Sequence, residues 1–188
     1  YTLELGESYV ARRFDSYFTG YSVEELKERR GEVDQLVEYL PGNLIIKEYS
    51  PRSATISTLE AHIQKCKMEG FEPDLIIIDY IDYLKSMRYK SGEKKDEIDD
   101  VYIGAKGLAK SLKIPVVSPS QVNRSGARDQ IIEGDKAAGS YDKMMVADGS
   151  ISLSRQKEDK VLGTGRIFIM KNRYGADGLS YNVRIDTN

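Results

Sequence analysis

Three segments of this chain end an apolar run in a polar side chain suited to work on a phosphate. Leu75-Ile76-Ile77-Ile78 runs into Asp79, a carboxylate that can hold the water shell of a magnesium ion. Val116-Val117-Ser118-Pro119-Ser120 runs into Gln121, whose neutral amide can hydrogen-bond a terminal phosphate, or its water, and report whether that phosphate is present. Thr2-Leu3 runs into Glu4, a carboxylate that can orient and activate an attacking water. Each residue also has a plainer reading: Asp79 as a loop cap, Gln121 as a surface glutamine, Glu4 as the acid opening a helix that starts at Glu7. The weight lies in all three strand ends and in their order.

The elements that must position these residues follow from periodicity. Short β-branched runs at Leu44–Tyr49, Leu75–Asp79, Val116–Ser120 and Ile151–Arg155 alternate with stretches whose apolar residues recur at three- and four-residue steps. Such alternation predicts βαβ units and a mainly parallel sheet, whose ligands bind beyond the carboxyl ends of the strands. Capping boxes predict helix starts at Ser22 with Glu25 and at Ser57 with Glu60, and Gly70 predicts the stop of the second helix. On that helix Leu59, Ile63 and Cys66 share an apolar face, which makes Cys66 a packing residue and leaves His62 at the surface. A helix over Asp96–Leu112 carries Ile98, Val101, Ala105, Leu108 and Leu112 on one side and ends before Pro115. Beyond Ser150 the strands shorten around Gly163, Gly165 and the turn Tyr174–Gly178, a pattern of antiparallel hairpins added to the parallel sheet.

With 188 residues, 40% hydrophobic and 31% charged, the chain is long enough for one domain with a real core, or most of one. One cysteine and one histidine rule out an internal disulfide and a self-contained zinc site. No apolar run approaches the ~20 residues that cross a bilayer and no signal peptide opens the chain, so a cytoplasmic protein is expected. A net charge of −2 gives no global attraction to nucleic acid, although a ring threaded by one strand needs cations only on its pore loops. The start at Tyr1, directly in a strand-like segment, reads as a piece of a longer chain.

Four segments, in order, resemble the signatures of the DnaB-type hexameric replicative helicases: Thr2-Leu3-Glu4-Leu5, Asp74 to Tyr80, Ser120-Gln121-Val122-Asn123-Arg124-Ser125-Gly126 and Lys171-Asn172-Arg173-Tyr174-Gly175. Asn43 to Tyr49 resembles the tailed-phage branch. The resemblance implies a RecA-like α/β core over 1–188, lacking its first strand, phosphate loop and following helix. It implies that ATP with Mg2+ is the cofactor, that Glu4 is the catalytic base, and that Asp79 is linked to magnesium through water. It makes Gln121 the γ-phosphate sensor and sends Lys171 and Arg173 into the neighbouring subunit's nucleotide site. The partners it implies are single-stranded DNA, further copies in a hexameric ring, primase and a helicase loader.

Two polar loops are candidate DNA contacts: the one after Asp79, with Lys85, Arg88, Lys90, Lys94 and Lys95 interleaved with Tyr83 and Tyr89, and the one from Arg124 to Gly139. In the second, Lys136 and Gly139 match the family's phosphate-tracking segment, whereas Ala137 stands where the family has glutamate. The large departure is that no Gly-x-x-x-x-Gly-Lys-Ser/Thr occurs, so the chain alone is expected to be inactive. A recombinase or a RadA- or KaiC-type ATPase shares the fold, and a non-catalytic α/β binding module is the reading from another class.

Overall fold

Thr2 lies at the centre of the parallel sheet, bridged to Glu48 on one side and to Asp79 on the other. The structure is a computed structural model and describes residues 1–87, 94–121 and 145–185, with the side chains of 94–96 not described. Strand β1 (Ile76–Ile77) pairs in parallel with β2 (Val116–Val117), so four segments lie side by side in the order 48, 2, 76–79, 116–117. Regular pairing is shorter than the apolar runs predict. Leu44–Tyr49 pairs with the sheet where Thr2 N–H donates to Lys47 O and Tyr49 N–H to Thr2 O, Thr2 being its one strand neighbour among the described residues, and Glu48 N–H donates to Glu7 Oε1 at 2.8 Å. Pro115 and Pro119, which have no N–H to donate, flank the two residues of β2.

Helices α1 (Glu7–Thr19), α2 (Val23–Glu28) and α3 (Arg30–Glu38) form the N-terminal connection. The Ser22–Glu25 capping box opens α2 as expected. Helix α4 (Ile56–Met68) corrects the second expectation: its cap is Thr55, boxed with Thr58, and Ser57 lies inside the first turn with its hydroxyl toward the Met87 sulfur. Gly70, at φ +89°, takes the left-handed position beyond its end. Helix α5 (Lys94–Leu112) starts two residues earlier than predicted, and it closes through Lys113 at φ +58°, which lets Ile114 N–H reach Ala109 O. His62 is a further correction. It is half-buried, with Nδ1 3.0 Å from the Tyr1 hydroxyl, and burial lowers its pKa.

The core lies on one face of the parallel sheet. Ile76 and Ile78 are buried there with Leu59 and Ile63 of α4 and Val101, Ala105 and Leu108 of α5, confirming the predicted helix faces. On the other face Leu75, Ile77 and Val117 are 41–52% exposed, and Leu75 and Ile77 line a cavity of about 700 Å³ together with Val10, Phe14 and Ile45. A parallel sheet is ordinarily covered on both faces.

The predicted antiparallel addition is present as β3 (Gly149–Ser154), β4 (Thr164–Asn172) and β5 (Ser180–Arg184), in that order across the sheet. The short helix α6 (Lys157–Leu162), which the glycine pattern did not suggest, separates β3 from β4 and ends on Gly163 at φ +63°. A Cβ at Gly165 would meet the Ser154 backbone oxygen at 3.0 Å and would push aside Ile185 Cδ1, 2.5 Å away. In β3 the alternation is inverted: Ser152 and Ser154 are buried, and Ile151 and Leu153 are exposed. No helix among the described residues is long and apolar enough to cross a membrane.

Candidate nucleotide site

Glu4 and Asp79 end adjacent parallel strands. Leu3 N–H donates to Asp79 O at 2.8 Å and Asp79 N–H to Tyr1 O at 2.9 Å, which fixes the register of the two strand ends. Glu4 is exposed and Asp79 half-buried, as groups meeting a soluble ligand must be. Gln121, also exposed, follows the next strand, whose pairing continues from Ile78 N–H to Val117 O at 2.9 Å. The three residues read from the sequence therefore stand on three neighbouring strand ends, at the side of an open α/β sheet where ligands bind.

Side chains that the sequence reading did not single out brace this edge. Ser118 Oγ donates to Ile78 O at 2.7 Å and accepts from Ile81 N–H at 3.0 Å, so one hydroxyl locks the Asp79 turn to the strand leading to Gln121. Tyr102 of α5 donates to Asp82 Oδ2 at 3.0 Å and also bonds Ser120. Burial, then the Asp82 charge, raises the Tyr102 pKa and keeps the phenol a donor. Tyr80 packs on Tyr83 with ring centroids 4.4 Å apart. Burial, the hydrogen bond with Tyr83 and the charges of Tyr83, Glu4 and Asp82 raise its pKa. The only sequence hint of this bracing is a serine ending the valine run.

The donor set fits part of a nucleotide. A single half-buried strand-end carboxylate such as Asp79 fits a magnesium that keeps most of its waters and leans on phosphate oxygens. The sequence contains no Gly-x-x-x-x-Gly-Lys-Ser/Thr loop, the motif that cradles the inner phosphates.

A family model described as the DnaB-like helicase C terminal domain matches residues 22–183. The chain belongs to this family. It is similar over its whole length, at 21% identity, to a probable replicative DNA helicase of Trieres chinensis, and over 93% of its length, at 23%, to the DnaB-like replicative helicase of Enterobacteria phage T4. It spans 44% and 39% of those two proteins, less than half of each. Among solved structures, a DnaB-like replicative helicase described with its interactions with primase superposes with a TM-score of 0.80 at 16% identity, covering 99% of this chain and 48% of that one. A second, solved as an ATPase domain, gives 0.75 at 18%, covering 97% of this chain and 69% of that one. The fold is the RecA-like α/β core of these ATPase domains, and family membership sets it with helicases rather than recombinases.

Lys171 and Arg173, the other two candidate site residues, belong to the antiparallel sheet and its first turn. Lys171 lies within β4 rather than at the hairpin tip, and its Nζ donates to Met145 O at 2.9 Å. Arg173 opens the turn after β4, 45% exposed, with Nη1 2.8 Å from Asp148 Oδ1.

Of the candidate DNA contacts, Lys94 and Lys95 open α5 rather than belong to a loop, and Tyr83 is packed against the core instead of being offered to a base. Arg88, Lys90, Arg124, Lys136 and Gly139 lie outside the described residues.

Proposed function

We propose that this chain is the larger part of the motor core of a replicative DNA helicase, hydrolysing ATP with Mg2+ across subunit interfaces of a hexameric ring to move along single-stranded DNA. The observation that carries this reading is the row of Glu4, Asp79 and Gln121 on three neighbouring parallel strand ends of a DnaB-like core. Glu4 accepts the proton of the attacking water, Asp79 holds magnesium through water, and Gln121 hydrogen-bonds the γ-phosphate. Bound magnesium neutralises charge on the phosphates. Lys171 and Arg173 act on the neighbouring subunit's nucleotide, a role open to Arg173 because its side chain is 45% exposed in the turn after β4.

The cradle for the inner phosphates comes, in this reading, from residues outside this sequence: a strand, a phosphate loop and a helix. The bare sheet face at Leu75, Ile77 and Val117 and the adjoining cavity support it, because a parallel sheet needs cover there. DNA contacts are assigned to Arg88, Lys90, Lys94, Lys95, Arg124, Lys136 and Gly139. A primase and a loader are the proposed partners and the cytoplasm of the host cell the place of action, the first by analogy with the solved relative described with primase.

The test is made in the complete ring-forming protein. Glu4→Gln and Asp79→Asn should both abolish DNA-stimulated ATP hydrolysis, but only Asp79→Asn should weaken MgATP binding by calorimetry. Near wild-type turnover by Glu4→Gln would reduce Glu4 to a helix-start acid and overturn the assignment.

A further inference from the structure

The polar cluster that the strand-end chemistry leaves unused is centred on Asp148, immediately before β3. Its Oδ1 accepts from Arg173 Nη1 at 2.8 Å, its backbone oxygen accepts from the Arg173 N–H at 2.8 Å, and its Oδ2 accepts from Lys106 Nζ of α5. Both ends of Arg173 are thus referred to one residue, and that residue is referred to α5. Lys171 joins the same corner through Met145 O, three residues before Asp148, and pairs across the sheet with Ser150.

We propose that Asp148 is a positioning residue for ATP hydrolysis, holding the Arg173 guanidinium aimed outward from its own subunit, with Lys106 fixing Asp148 to helix α5. The inference rests on the trans-acting role given to Arg173 above. A guanidinium carries five N–H donors in a rigid fork, and the described contacts engage one edge through Nη1, which leaves the opposite edge for a phosphate. An arginine left to wander among rotamers would have to be ordered each time charge develops on the transferred group, and misplacement by about 1 Å is enough to cost on the order of a hundredfold in rate. The groups of this cluster are 25–45% exposed, and ion pairs so exposed contribute little to stability. Loss of position, rather than loss of folding, is therefore the consequence of removing Asp148.

The experiment compares Asp148→Ala, Asp148→Asn, Lys106→Ala, Arg173→Ala and the double Asp148→Ala, Arg173→Ala in the complete ring-forming protein, reading kcat, KM for MgATP and Tm. Asp148→Ala should lower kcat by roughly tenfold to a hundredfold with KM and Tm nearly unchanged. Lys106→Ala should lower it less, and Asp148→Asn, which keeps an acceptor for Arg173, should fall between Asp148→Ala and wild type. The double variant should be no slower than Arg173→Ala alone, since an unaimed residue that is already gone cannot be lost twice. Wild-type turnover by Asp148→Ala beside an inactive Arg173→Ala would overturn the positioning role while sparing the role of Arg173. A double variant slower than Arg173→Ala in proportion to both single losses would also overturn it. An active Arg173→Ala would remove the reading on which the inference stands.

Discussion

Among the described residues Asp159 is the one buried carboxylate, and its partners are all close in sequence. It accepts from the Gln156 N–H at 2.9 Å, from Thr164 Oγ1 at 3.2 Å and from Arg166 Nη1 at 3.4 Å, tying the start of α6 to β4. The Gln156 N–H is the main cause that lowers its pKa, with Thr164 and Arg166 adding to it. Because the folded pKa lies below the unfolded value of about 3.9, the stabilisation is present above that value and lost as pH falls through the folded one. Asp159→Asn should therefore lower Tm at pH 7 and converge on wild type below about pH 4; a Tm gap unchanged from pH 7 to 3 would refute the charge-assisted cap. Local partnerships of this kind, like the strand-end residues Glu4, Asp79 and Gln121, leave a trace in the sequence as a polar residue at the boundary of a periodic segment. Asp148 leaves none, because Lys106 and Arg173 are 42 and 25 residues away and only the fold brings them together.

Two glycines on α5 separate what a helix tolerates from what its packing requires. Gly107 is exposed and a Cβ there would meet no described atom within 4 Å, so Gly107→Ala should raise unfolding free energy by up to about 1 kcal/mol through helix propensity alone. A Cβ at Gly104 would lie 3.0 Å from Ile56 Cγ1, where α5 meets α4, and Gly104→Leu should cost about 1–3 kcal/mol by overpacking. Denaturant unfolding of both variants checks the pair, and equal effects would show that this contact is slack. The α4 and α5 faces were legible because long amphipathic helices repeat their signal over several turns. The α4 cap was misread because Thr55 and Ser57 each offer a hydroxyl two residues apart, and only the extended backbone of Thr55 chooses between them. Helix α6, six residues long, is too short for its period to register, and Leu44–Tyr49 has the composition of a strand without a second neighbour to make it one.

At the scale of the assembly, the trans-acting role proposed for Arg173 predicts a signature that no experiment on a single subunit can produce. Subunits with Arg173→Ala keep intact strand ends, and subunits with Asp79→Asn keep intact fingers, so rings mixed from the two contain some interfaces with both. The mixture should hydrolyse ATP faster than either parent, whereas Arg173→Ala alone should lose on the order of a thousandfold in turnover. Inactivity of the mixture, with subunit exchange confirmed, would place the finger within its own subunit or require every interface at once. The bare sheet face has its own consequence for the molecule handled in isolation. Among the described residues neither β2 nor β3 is paired along its outer edge, and Ile77, Val117, Ile151 and Leu153 offer apolar side chains beside those edges. An open edge flanked by exposed aliphatic surface is a template for any other open edge in solution. Self-adhesion is the expected result, and clumping of the purified chain, relieved when the proposed strand–loop–helix segment is supplied, would read out directly whether that segment covers the sheet.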